Sequence, residues 1–130
     1  MPKFGKRSKK NLEQCEKQLQ DLFNEVIKYF DCSVICGHRN EHDQNEAYHS
    51  GRSKIKWPNG THNSNPSYGV DVLPYPIEWS NIKRMYMFVG FVRGIAASMN
   101  IKIRCGADWD GDTLVKDQNF HDLPHFELIN

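Results

Sequence analysis

Leu12, Cys15, Leu19, Leu22, Phe23, Val26, Ile27 and Phe30 recur at steps of three and four, the spacing that turns one face of an α-helix toward a core. The stripe predicts an amphipathic helix over Asn11 to Phe30, and the rest of the chain must supply the surface that buries it. A second long helix is predicted by Ile82, Met85, Tyr86, Val89, Val92, Ala96 and Met99, with Ser80 as N-cap and Gly90 and Gly94 as weak points or close-packing sites. Ser33 to Cys36 reads as a short strand ended by Gly37, and Glu41 to Ser50 as a polar helix stopped by Gly51. Val70 to Leu73 is a strand closed by Pro74 and Pro76, which cannot donate ladder hydrogen bonds. Ile101 to Arg104 and His125 to Leu128 complete the set of strands. Helices segregated from a few locally pairing strands give an α+β class with a small antiparallel sheet.

At 130 residues the chain suits one domain, taken as 1–130. Its net charge is +1, from 17 Lys and Arg against 16 Asp and Glu, so no global field points to nucleic acid or an anionic membrane. Lys3, Lys6, Arg7, Lys9 and Lys10 make a basic start, read as a solvated, partly frayed terminus. Aromatic residues do not interleave with that charge as a nucleic-acid stacking surface requires. No run reaches the roughly 18 apolar residues of a membrane span and no early apolar stretch looks like a secretion signal, so a soluble cytoplasmic product without membrane insertion is expected. Cys15, Cys32, Cys36 and Cys105 lack framework spacing, and buried free thiols are expected.

Residues 52–68 hold Pro58, Gly60, Pro66 and several Asn and Ser, which favours a long loop of the kind that carries function. His62 lies in that loop, Asp71 in the Val70–Leu73 strand opposite Val70 and Val72, and His125 on the last strand, sharing a face with Glu127. Two imidazoles and a carboxylate are a donor set that suits catalytic zinc, which keeps a fourth position for water. A carboxylate among Val70, Val72 and Leu73 needs something positive or several donors beside it, and backbone N–H groups would serve as well as a metal. Asp122, three residues before His125 with Pro124 between, is either a general base beside a metal or a loop aspartate closing an Asx turn. Spacing alone leaves both open.

THNSNPSYGVDVLPYP at 61–76 and HDLPHFEL at 121–128, with GHRNEHDQ at 37–44, GRSKIKW at 51–57 and GADWDGD at 106–112, resemble the zinc peptidases of the D-alanyl-D-alanine carboxypeptidase type. Their bacteriophage L-alanyl-D-glutamate endopeptidases, which serve as endolysins, are the most similar subgroup. The resemblance implies a hedgehog/DD-peptidase-like fold and Zn²⁺ held by His62, Asp71 and His125. It also implies Asp122 as general base and Arg39 contacting the substrate carbonyl. Gln44 matches a family glutamine without an assigned role. Gly60 and Thr61 depart from the family's usual Ser and Lys, and the first two ligands stand two residues further apart than in its shortest pattern.

The implied substrate is the peptidoglycan stem peptide, cut by a monomer at the L-Ala/D-Glu bond. The enzyme would be synthesised in the host cytoplasm and reach the wall after holin-mediated release. Rival readings are a D,D-carboxypeptidase or D-Ala-D-Ala dipeptidase of the same fold, and a non-catalytic metal-containing binding module. Glu127 or Asp108 are candidates to orient the histidines, and the Asp108, Asp110, Asp112 loop, lacking full calcium-loop spacing, reads as an exposed acidic turn.

Overall fold

The first apolar stripe is split between two helices, α1 (Lys6–Glu13) and α2 (Lys17–Val26), where one continuous helix was expected. Leu12, Cys15, Leu19, Leu22, Phe23, Val26 and Ile27 are all buried, so the periodicity marked the core face correctly. The backbone between the helices has another partner. Ser67 N–H donates to the Gln14 carbonyl at 2.8 Å and Glu16 N–H to the Ser67 carbonyl at 2.9 Å. This bridge to the long loop competes with helical hydrogen bonding at Gln14–Glu16 and wins. In this computed structural model, residues 2–115 and 122–129 are described, so His121, at the head of the HDLPHFEL stretch, lies outside the described residues.

The strands are β1 (Cys32–Cys36), β2 (Gly69–Pro74), β3 (Ile103–Cys105) and β4 (His125–Leu128), and the remaining helices are α3 (Glu41–His49) and α4 (Ile82–Ser98). The strands form one antiparallel sheet in the order β1-β2-β4-β3, as the α+β expectation required. α1 covers the outer edge of β1. Val34 N–H donates to Ser8 Oγ at 3.0 Å and Asn11 Nδ2 donates to the Val34 carbonyl at 2.8 Å, so an otherwise exposed strand edge is satisfied by side chains. The basic N-terminal residues therefore ride on a docked helix and are not a frayed end, with Phe4 and Ser8 buried beneath them.

α2 and α4 pack across one face of the sheet. Phe126 of β4 sits edge-on to Phe23 at 5.4 Å between ring centroids and to Phe88 at 6.2 Å. Val70 and Val72 are fully buried on this face. The N-cap of α4 is Asn81, whose side chain accepts from Arg84 N–H at 3.3 Å, one residue later than the expected Ser80. A Cβ at Gly90 or Gly94 would meet nothing within 4 Å, so neither is a close-packing site. Among the described residues no helix is long and apolar enough to cross a membrane.

Candidate active site

The opposite face of the central strands carries the polar residues. Asp71 pairs with His125 across β2 and β4 and with Cys36 across β1 and β2, which sets these three side chains in a row. His62 reaches the row from a 3-10 turn at Thr61–Asn63 in the long loop. That turn is fixed to the end of β1, because Arg39 N–H donates to the His62 carbonyl at 2.8 Å and Asn63 Nδ2 donates to the Arg39 carbonyl at 3.1 Å. Residues far apart in sequence thus meet.

His62 Nε2, His125 Nδ1 and Asp71 Oδ1 form a nearly equilateral triangle with edges of 3.1, 3.2 and 3.2 Å. The other nitrogen of each ring is committed. His62 Nδ1 lies 2.7 Å from the Gly37 carbonyl, and a carbonyl only accepts, so Nδ1 carries the proton. His125 Nε2 lies 2.7 Å from Glu127 Oε1, whose other oxygen is gripped by Arg104 through Nε at 3.0 Å and Nη2 at 2.6 Å. Glu127, and not Asp108, is the residue that orients His125. With their outward nitrogens engaged, His62 Nε2 and His125 Nδ1 converge on the Asp71 carboxylate, an arrangement that calls for positive charge from a metal ion or, without one, from protons on the imidazoles.

The electrostatics carry the same demand. Burial lowers the His62 imidazole, but the Asp71 carboxylate beside it outweighs this and lifts the group to about 10. Burial raises Asp71, yet His62 and His125 together hold it well below the usual carboxylate range. Asp122 moves the other way, pushed up to about 6 by burial and by the Asp71 charge. Its carboxylate comes within 4.8 Å of ligand atoms on Asp71 and His125. The turn leading into β4 is closed by His125 N–H donating to the Asp122 carbonyl at 3.0 Å, so the backbone does the work an Asx turn would have done.

Arg39 Nη2 approaches Asp71 Oδ2 at 3.5 Å while Nη1 donates to Gln44 Oε1 at 3.0 Å. All five residues singled out by sequence, His62, Asp71, His125, Asp122 and Arg39, line one cavity of about 990 Å³. Trp79, Trp109 and Arg104 line it too and carried no spacing signal in the sequence.

Cys36 departs from expectation. Cys15, Cys32 and Cys105 are buried thiols, but Cys36 is only partly buried and faces the cavity. Its sulfur lies 3.8 Å from His62 Nδ1, the nitrogen already bonded to Gly37, and within 4.8 Å of ligand atoms on His62 and Asp71. Strict alternation would have put Cys36 on the core face with Cys32 and Val34, and a register shift between Val34 and Cys36 turns it around. Asp108 also differs from the exposed turn expected. It is buried, with Arg93 Nη1 at 3.0 Å and Thr113 N–H at 2.8 Å on one oxygen, while Asp110 and Asp112 are exposed.

Fold and site together define a small α+β protein with a candidate hydrolytic metal centre: converging ligand atoms, an adjacent carboxylate and an arginine across an open cavity. The pattern of the phage L-alanyl-D-glutamate peptidases matches residues 1–129, and the chain belongs to that family of peptidases, hydrolases that act on peptidoglycan. The fold is similar to the crystal structure of Serratia marcescens L-Ala D-Glu endopeptidase ChiX, with a TM-score of 0.76 at 23% identity over 98% of this chain and 90% of that one. No curated protein matches the chain by sequence.

Proposed function

We propose that this chain is a zinc-dependent endolysin that hydrolyses the L-Ala/D-Glu bond of peptidoglycan stem peptides, with His62, Asp71 and His125 holding the ion. The observation that carries the reading is the triangle of His62 Nε2, His125 Nδ1 and Asp71 Oδ1, with edges of 3.1–3.2 Å. Ligands about 2.0–2.1 Å from a tetrahedral zinc stand roughly 3.3 Å apart, so the donor set needs little adjustment. Cys36 stands behind His62, on the side of the ring nitrogen that is already engaged, and three ligands leave a position open.

When bound, zinc supplies a Lewis acid that brings the acidity of water to near pH 7 and polarises a carbonyl. Asp122, raised toward neutrality, accepts the proton of the attacking water and returns it to the leaving amine. Arg39 stays charged and faces the oxygen on which negative charge develops. Glu127 and the Gly37 carbonyl keep the two imidazoles in the tautomers the ion requires. We take residues 1–130 to act as a single domain and a monomer, on a peptide and not on nucleic acid, after synthesis in the host cytoplasm and holin-mediated release to the wall. Family membership supports the route, and the near-neutral charge supports the choice of substrate.

The test pairs zinc quantification with a chelator-reversible turbidity assay on bacterial walls and mass spectrometry of digested muropeptides. The expected products carry new ends at L-Ala and D-Glu, and release of free D-Ala would instead mark a D,D-carboxypeptidase. Asp122→Ala is expected to keep stoichiometric zinc and lose hydrolysis, whereas His125→Ala loses both. Wall cleavage by Asp122→Ala at the wild-type rate would remove it as the base.

A further inference from the structure

Gln44 is a polar side chain that the reaction as described leaves unused, although it is only 1% exposed. Its Oε1 accepts from Arg39 Nη1 at 3.0 Å and from Asn63 Nδ2 at 3.1 Å. Its Nε2 donates to Ser53 Oγ at 3.1 Å and to the Ile55 carbonyl at 2.6 Å. An amide offers two acceptor sites and two donors, and all four are taken. A flipped amide would turn N–H groups against the Arg39 and Asn63 donors, so the orientation is fixed. With no polar valence left for a substrate, Gln44 acts only through the groups it holds.

Those groups are the working parts of the cavity. Arg39 faces Asp71, Asn63 follows His62, and Ser53 and Ile55 line the cavity wall. We propose that Gln44 is a positioning residue for the peptidase reaction, its buried amide pinning the Arg39 guanidinium and joining it to the 53–55 wall. This rests on the reading of Arg39 as the group that meets the carbonyl oxygen. An arginine side chain is long and flexible, and its charge helps a transition state only where it is already in position. Asp71 Oδ2 at 3.5 Å and Cys36 Sγ at 3.7 Å both meet Nη2, and Gln44 supplies the hold on Nη1. The holder is a neutral amide. A carboxylate in its place would pair with the guanidinium and offset the field that Arg39 brings to the oxyanion.

The experiment uses full-length zinc-loaded protein, a soluble stem-peptide substrate and ¹⁵N–¹H NMR of arginine side chains. In the wild type the Arg39 Nη groups are expected to give separate, slowly exchanging signals. Gln44→Met should merge them and lower kcat about tenfold to a hundredfold, with KM within about twofold and zinc content unchanged. In an Arg39→Ala background the same substitution should cost less than about twofold, because the two side chains act as a unit. Gln44→Glu keeps an acceptor for Arg39 and should keep its signals separate, which tests the assignment even if the methionine variant fails to fold. Merged signals in Gln44→Glu, unchanged Arg39 signals in Gln44→Met, or additive losses in the double variant of an active protein would overturn the Gln44 assignment alone. Wild-type protein that takes up zinc and hydrolyses nothing would overturn the peptidase reading and the proposal with it.

Discussion

Asp122 shows how one side chain is tuned by its surroundings at a cost to the fold. Burial and the Asp71 charge raise its carboxyl from 3.8 to about 6, so the ionised form is held less comfortably in the native state than in the unfolded chain. The stability tied to this group is therefore fully present below about pH 3.8 and is lost as pH rises through about 6. Asp122→Asn is expected to stabilise the metal-free protein by about 1–2 kcal/mol at pH 7.5, raising Tm by a few degrees, with the gain gone at pH 3.5. Thermal melts of both proteins at the two pH values check this. Little of this could be read from the sequence, where Asp122 was equally a turn former and a base. Its three-residue spacing from His125 limited where it could stand, but the neighbouring charge that tunes it comes from β2.

At the scale of elements, two kinds of glycine give opposite expectations. Gly90 and Gly94 lie exposed in the interior of α4 with open space at each Cβ position. Replacing either with Ala is expected to stabilise the protein by roughly 0.5–1 kcal/mol without changing wall hydrolysis, as denaturant melts and turbidity assays would show. Gly106 follows β3, and a Cβ there would collide with the Asp122 carbonyl oxygen. The same glycine accepts from Asp122 N–H at 3.0 Å and donates to the His125 carbonyl at 2.9 Å. Gly106→Ala should therefore push the Asp122 turn away, lowering kcat about tenfold to a hundredfold while zinc content holds, and an unchanged kcat would show that the turn absorbs the methyl group. The sequence located the strands and most of the helices but missed the start of α1 at Lys6 and the break at Gln14–Glu16, the latter because the bridge to Ser67 is formed by backbone groups, which leave no mark on side-chain periodicity.

Across the whole molecule, the candidate centre joins the 3-10 turn, β2 and β4, on the face of the sheet opposite the Phe23, Phe88 and Phe126 core. An ion bound there stabilises only the folded state, by about 2.7 kcal/mol when free zinc is a hundredfold above its dissociation constant. Chelation should lower Tm and added zinc should restore it in a concentration-dependent way, whereas a Tm indifferent to both would mean that no ion bridges these elements. The sequence by itself determined the α+β class, the buried stripes and the residue types of the site, because side-chain periodicity is a local property and donor chemistry belongs to each residue. Tertiary structure alone decided that His62 Nε2 and His125 Nδ1 turn toward Asp71, that Cys36 faces the cavity, that Glu127 rather than Asp108 steadies the site, and that Gln44 holds Arg39. Each of these depends on pairing register or on a hydrogen-bond partner many residues away, and no local pattern in a chain encodes which distant group will stand opposite.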